Sequence, residues 1–267
     1  MKTIKYAILI IILAVMIFPL IWMFRVSILP SELSLSFNNF LSSNITFTTY
    51  YELFVNGSTL KYFFNSVVVG LIVTSGNILF CFMVGYSLSR RIFPGRKLLF
   101  YSVIFVLMIP AHIIIIPLYL IINKIGLYDS YGALILPFLV NPIGIFLIKQ
   151  YIDTLPRSME EAARIDGAGE FRILFRVVMP LCKPALAVLA IQVFLTNWNA
   201  FLFPFILTSS ESVRTLPVGL ALYMGHQSID WQHLMAGSTL AVIPVLIVFL
   251  LFQRQIVSGI TSGAIKQ

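Results

Sequence analysis

Long apolar runs separated by short polar interruptions recur six times along the chain. The first, Tyr6 to Phe24, follows Lys2 and Lys5; the others lie near 62–88, 98–122, 132–150, 185–208 and 234–253. A helix of about 20 apolar residues crosses the hydrocarbon of a bilayer, so each run has the length of one crossing. The pattern predicts an all-α integral membrane protein with six transmembrane helices, forming a single domain over residues 1–267. Composition agrees: 59% of the 267 residues are hydrophobic and 10% are charged, against roughly 25% charged in soluble domains. The loops leave no length for a sizeable soluble module.

The first run has two readings, a signal peptide or a membrane anchor. No small-x-small cleavage site follows it and it is long for a signal core, which favours the anchor. Orientation follows from the basic residues. With the amino terminus inside, the cytoplasmic side holds Lys2, Lys5, Arg90, Arg91, Arg96, Lys97, Lys149, Arg157, Arg164, Arg172, Arg176, Lys183, Arg254 and Lys266. Only Arg25, Lys61, Lys124 and Arg214 fall outside. That asymmetry predicts both termini in the cytoplasm and accounts for the formal charge of +8 without nucleic acid.

Pro19, Pro110, Pro117, Pro137, Pro142, Pro204 and Pro244 fall within or beside the runs, and prolines there free carbonyls that lipid cannot satisfy. Asn65, Asn77, Asn141, Asn197 and Asn199 need polar partners for the same reason, from other helices or from a passing solute. Cys81 and Cys182 suggest no disulfide framework. His112, His226 and His233 lack metal-ligand spacing and read as structural or solvated. No phosphate-binding glycine loop and no dinucleotide fingerprint occurs, and no span carries a defensible catalytic constellation.

Two loops exceed what connection requires. In the segment from Arg25 to Lys61, Thr48-Thr49-Tyr50-Tyr51-Glu52-Leu53-Phe54 reads as a short helix at the outer surface. The other loop, 151–184, is cytoplasmic in this topology. After Pro156, Ser158 and Glu161 match a capping box, Glu160 and Glu161 suit the positive end of a helix, and Gly167 can end it in a left-handed conformation. A second segment, Glu170 to Met179, sets Phe171, Leu174, Phe175 and Val178 on one helical face. Pro180 and Pro184 separate it from the next span. Asp153, Glu160, Glu161, Asp166 and Glu170 all lie in or beside this structure. Two readings fit: a cap on the bundle, or a lever whose small Ala162-Ala163 face enters a cleft on a partner. Periodicity does not choose between them.

Glu161-Ala162-Ala163, three residues, Gly167, nine residues, then Val177-Val178-Met179-Pro180 resembles the EAA motif of ABC importer permeases. Val177 and Met179 depart from the motif's isoleucine and leucine but stay apolar. Asn197-Trp198-Asn199, Thr215-Leu216-Pro217-Val218-Gly219-Leu220, and Gln253-Arg254 with Val257, Gly259, Thr261, Gly263, Ala264 and Lys266 extend the resemblance over nearly the whole chain. It is similar to carbohydrate-importer permeases of the MalG type, multi-pass proteins of the prokaryotic cytoplasmic membrane.

The resemblance implies a transport subunit that is not itself an enzyme and binds no cofactor or metal. ATP and Mg would be held by two partner ATPase subunits, beside a second, MalF-like permease and an extracytoplasmic sugar-binding protein. It implies that Ser158, Glu161, Ala162, Ala163, Asp166 and Gly167 form or shape the ATPase-coupling contact. Trp198, Asn199 and Phe203 are candidates for the substrate path, and Leu216, Pro217, Gly219 and Trp231 for contact with the binding protein; packing and plain connection are the competing readings. The solute alternatives are glycerol phosphate, peptide or amino acid. An ion-coupled secondary transporter is disfavoured because no Asp or Glu falls mid-span in this topology.

Overall fold

The computed structural model describes residues 2–30, 44–225 and 229–264, and all their side chains except those of Lys2, Asn56 and 254–264. His226 and Lys266 lie outside the described residues, as do the side chains at the tail positions Arg254, Val257, Gly259, Thr261, Gly263 and Ala264. Every regular element among the described residues is helical.

In chain order these are α1 (Lys2–Ser27), α2 (Thr48–Tyr51, continued by a wide turn over Glu52–Asn56), α3 (Thr59–Arg90) and α4 (Arg96–Leu107). A 3-10 turn, Ala111–Ile114, leads into α5 (Ile115–Lys124); α6 (Tyr131–Ile135) and α7 (Pro142–Asp153) follow. Next come α8 (Ser158–Ile165), α9 (Glu170–Leu181), α10 (Lys183–Trp198), α11 (Leu202–Leu207), α12 (Leu216–Ala221) and α13 (Trp231–Ala264). The short helix expected near Thr48 is α2.

Among the described residues, four stretches are long and apolar enough to cross a membrane, and two bent pairs raise the number to as many as six. The 98–122 run is α4 and α5 with a 96° turn between them, at Pro110 and the 3-10 turn. The 185–208 run stops at Trp198 and resumes at Leu202, while α9 enters α10 at 78°. Proline sets these breaks, because it cannot donate to the preceding turn and its ring clashes with that turn's carbonyl. Pro19 and Pro244, by contrast, lie inside continuous helices.

The contacts divide the chain into two compact units, Met1–Asn65 with Arg214–Ile247, and Ser66–Val213 with Val248–Gln267. In the first, Gly219 of α12 lies against Tyr62, where a Cβ would come within 2.1 Å of the ring. The Asn65 amide donates to the Arg214 carbonyl (2.9 Å), and a hydrogen bond joins the hydroxyls of Thr59 and Tyr223 (2.9 Å). His233 lies between carboxylates, 3.0 Å from Glu52 and 2.8 Å from Asp230, a structural role.

The second unit holds the larger core, in which Phe82, Ile148, Ile152, Ile173 and Leu189 are fully buried. Glycine permits tight packing here: a Cβ on Gly144 would lie 2.8 Å from Leu189 and 3.0 Å from the Cys81 sulfur. The same unit answers the need for internal partners. Leu136–Phe138 turns out of α6 as a 3-10 segment, and Asn77 donates to the Phe138 carbonyl (2.7 Å) and to the Val73 carbonyl (2.9 Å). Asn141 caps α7 by accepting from the Ile143 N–H (2.9 Å).

At the far end of α5, Asp129 adopts φ 56°. Its Oδ1 accepts from the N–H groups of Ser209 (2.8 Å) and Ser210 (2.9 Å), tying this turn to the chain after α11. Burial alone would raise the Asp129 pKa, but the N–H donors of Ser210 and Ser209 outweigh it and hold the group below its ordinary 3.8.

Gly144→Val should overpack the core by roughly 1–3 kcal/mol, whereas Gly169→Ala, with nothing within 4 Å of a new Cβ, should be neutral. Thermal unfolding of the purified variants in detergent checks both. Since the Asp129 pKa is depressed on folding, its stabilisation is complete above 3.8 and is lost as pH falls through the lower folded value. Asp129→Asn should therefore lower the melting temperature at pH 7 and flatten its decline below pH ~4.

Candidate functional site

The site is built around α8. Pro156 fixes φ ahead of Arg157, which already takes a helical conformation (φ −70°, ψ −24°). The helix therefore begins one residue earlier than the sequence suggests. The Arg157 carbonyl accepts from the N–H groups of Glu160 and Glu161, each at 3.0 Å, and no side chain caps this end. The Ser158–Glu161 capping box does not form: with Ser158 inside the first turn, its hydroxyl is no longer placed to receive the N3 amide. The other end is as expected. Gly167 has φ 79°, its N–H reaches the Arg164 carbonyl (3.0 Å), and the Ala168 N–H reaches the Ala163 carbonyl (2.9 Å). These are the two bonds of a Schellman stop.

Of the sequence-predicted coupling residues, Ser158, Glu161, Ala162, Asp166 and Gly167 are exposed together on α8 and its end. Ala163 instead packs against the core, so the two alanines do not share one free face. Beside the exposed group stand two apolar side chains in the open, Ile165 (87% exposed) and Phe171 (75%).

Phe171 corrects the expected face of α9. Residues Ile173–Val178 form a π segment with i→i+5 spacing, which advances the helix face by a residue. Ile173, Leu174 and Val178 are buried, Phe175 is half-buried against Phe82, and Phe171 is left outside.

Sequence reading missed the group that anchors α8. Glu160 is 4% exposed and accepts from Arg90 Nε at 2.6 Å and from the Tyr86 hydroxyl at 3.3 Å. Arg90 also donates to the Leu155 carbonyl (2.8 Å). Its neighbours at the end of α3 grip other elements: Ser89 donates to Asp153 (2.5 Å), which also pairs with Lys149 (2.6 Å), and Arg91 pairs with Glu170. Arg164 approaches the same Glu170 at 3.5 Å, and hydrogen bonding there raises the Arg164 pKa. Arg96 closes the α3 terminus by donating to the carbonyls of Leu88 (2.7 Å) and Ser89 (3.1 Å). The available signal was the phase of α8, since Glu160 lies three residues before inward-facing Ala163 and an arginine doublet ends α3.

The substrate-path candidates divide. Trp198 is 3% exposed and stacked on Phe194 (centroids 5.8 Å, 15°), so its ring serves packing. Asn199 is exposed, its amide bonded to the Leu195 carbonyl (2.8 Å). Phe203 meets Phe138 edge-on at 5.3 Å and stacks on exposed His112 at 6.3 Å. Among the binding-protein candidates, Leu216 and Gly219 are buried, while Pro217 is partly exposed and Trp231 exposed. No group of three or more His, Cys, Asp or Glu able to hold a metal occurs among the described residues.

Among the described residues, several helices long and apolar enough to cross a membrane, two bent pairs and a short helix with a glycine stop are the features of a multi-pass membrane protein. The sequence profile of the binding-protein-dependent transport system inner membrane component matches residues 77–262, and the chain belongs to that family. It is 40% identical over 223 residues to the arabinooligosaccharides transport system permease protein AraQ of Bacillus subtilis, covering 83% of this chain and 79% of that one. It is 34% identical over 256 residues to the trehalose/maltose transport system permease protein MalG of Thermococcus litoralis, covering 94% and 91%. A solved bacterial ABC transporter involved in import of the acidic polysaccharide alginate shares the fold, with TM-score 0.82, 24% identity and 95% of both chains covered. The chain is thus a permease component, with ATP hydrolysis belonging to a separate polypeptide.

Replacing Arg90 by Gln strands the buried Glu160 carboxylate and should cost roughly 3–5 kcal/mol. The Arg91–Glu170 pair is about half exposed, with side chains 41% and 46% accessible, so Arg91→Gln should cost less than about 1 kcal/mol. Melting temperatures of the two variants, compared in one detergent, check this contrast.

Proposed function

We propose that this chain is a transmembrane permease subunit of an ATP-driven, binding-protein-dependent carbohydrate importer, crossing the membrane six times with both termini in the cytoplasm. The relatives named for arabinooligosaccharides and for trehalose and maltose support the substrate class. The carrying observation is α8 itself. Its tip exposes Glu161, Ala162, Asp166 and Gly167 beside uncovered Ile165 and Phe171. An exposed apolar patch rimmed by acids suits a protein partner.

The partner is one of two ATPase subunits, which hold ATP and Mg; a second permease and an extracytoplasmic sugar-binding protein complete the assembly. When the ATPases close, they draw α8 with them. The spans then turn the cavity from inward-facing to outward-facing, where the binding protein releases its sugar. Exposed Asn199 and His112, with half-buried Phe203 beside His112, suit a sugar's hydroxyls and apolar ring faces. Pro217 and Trp231 remain available for contact with the binding protein.

Purification of the tagged protein in mild detergent should bring down an ATPase, a second permease and, with sugar present, a binding protein. Proteoliposomes carrying that complex should take up an oligosaccharide or disaccharide only with ATP. Gly167→Val, strained at φ 79°, should abolish ATP-driven uptake, and Gly167→Asn should retain it because Asn tolerates this conformation. Uptake without ATPase, or of peptide, amino acid or glycerol phosphate alone, overturns this reading.

A further inference from the structure

We propose that Arg90 and Glu160 are positioning residues that form the permanent joint through which displacement of α8 enters the span α3. The proposal rests on the reading of α8 as the ATPase-docking element and identifies where its motion is handed on. Three observations carry it. First, α3 is one unbroken helix of 32 residues, Thr59–Arg90, so movement of its Arg90 end is transmitted along a stiff rod. Second, three hydrogen bonds hold α8 and the segment before it to that end: Arg90 to Glu160, Arg90 to the Leu155 carbonyl, and Tyr86 to Glu160. Third, the charged side chains are only 6% and 5% exposed.

Burial decides which links survive a stroke. Separating a buried arginine from its carboxylate leaves two charges without water, so Arg90 and Glu160 stay together whatever α8 does. The Arg91–Glu170 and Arg164–Glu170 contacts are near water, and each end can be resolvated at little cost. They bridge α9 to α3 and to α8 across the turn at Gly167–Gly169. The structure therefore places a buried ionic joint at α8 and α3 beside exposed, weaker ion pairs to α9, whose own hold on the core is apolar. Pulled by its docked tip, α8 carries α3 with it.

The test uses the complete importer, reconstituted with its second permease, ATPases and binding protein, and reads sugar taken up per ATP hydrolysed. Glu160→Gln should assemble and hydrolyse ATP, yet lower that ratio by about tenfold, within the usual range of coupling between sites. Combining Arg90→Glu with Glu160→Arg should recover at least half of it, which a merely packed pair would not do. Tyr86→Phe deletes one hydroxyl and leaves both charges in place. It should lower the ratio by about twofold to fivefold, and it carries the test if Glu160→Gln does not assemble.

A ratio unchanged in the assembling variants, with only the melting temperature lowered, overturns the joint. Failure of the docking reading is distinguishable, because Gly167→Val would then leave the same ratio intact. If Gly167→Val uncouples transport while Glu160→Gln and Tyr86→Phe do not, α8 docks but its motion enters the membrane elsewhere.

Discussion

A polypeptide surrounded by hydrocarbon must satisfy its backbone polar groups from within, and the rest of this structure follows from how it does so. An unbroken helix meets the requirement by itself, as α1 and α3 do. A broken one needs help from its neighbours. Asn77 on α3 bonds the Phe138 carbonyl where α6 gives out, and the Cys81 thiol donates weakly to the Asn141 carbonyl one turn later on the same helix. The face of α3 that supplies these donors is thereby committed to the broken helix beside it, and Gly144 leaves room for the Cys81 sulfur, which a Cβ there would approach to 3.0 Å.

Below that packed region the chemistry changes from neutral donors to charge. Residues 89 to 91 distribute one side chain each to α7, α8 and α9. The order follows the chain: successive residues at the end of one helix take successive partners after it. The contacts differ by environment rather than by type. An arginine–carboxylate pair sealed from solvent is expensive to disrupt, and the same pair at the rim contributes little. A single dipeptide, Arg90-Arg91, thus supplies both a firm attachment and a weak one.

Much of the fold was legible because lipid imposes a coarse rule: apolar runs of sufficient length become helices, and the runs at 6–24, 62–88 and 234–253 lie within single helices, whereas the other three are broken. The breaks were legible only as prolines. Pro110 marks a sharp turn, whereas Pro19 and Pro244 do not interrupt their helices, and local sequence does not say which neighbours can cover a freed carbonyl. In the loop, Gly167 was readable because a left-handed stop tolerates few residues. Ser158 misled because Pro156 shifts the helix start by one residue, a tertiary matter of how the chain leaves α7. Glu160 stayed hidden for a different reason. Its partner lies 70 positions earlier in the chain, and the helix phase that separates it from Glu161 is readable only once Ala163 is known to face the core. Trp198 showed the converse, an aromatic that suits a sugar but is occupied by Phe194.

The π segment of α9 has one more implication, for how this stretch is counted. A helix with i→i+5 bonds over Ile173–Val178 is an α-helix holding one surplus residue. Projected on an ordinary helical wheel, positions beyond Arg172 are misplaced by about 100°, one residue's rotation. The nine residues between Gly167 and Val177 therefore include an insertion that the helix absorbs, and deleting it would restore an ordinary helix with the flanking faces, exposed Phe171 included, in the phase they have now.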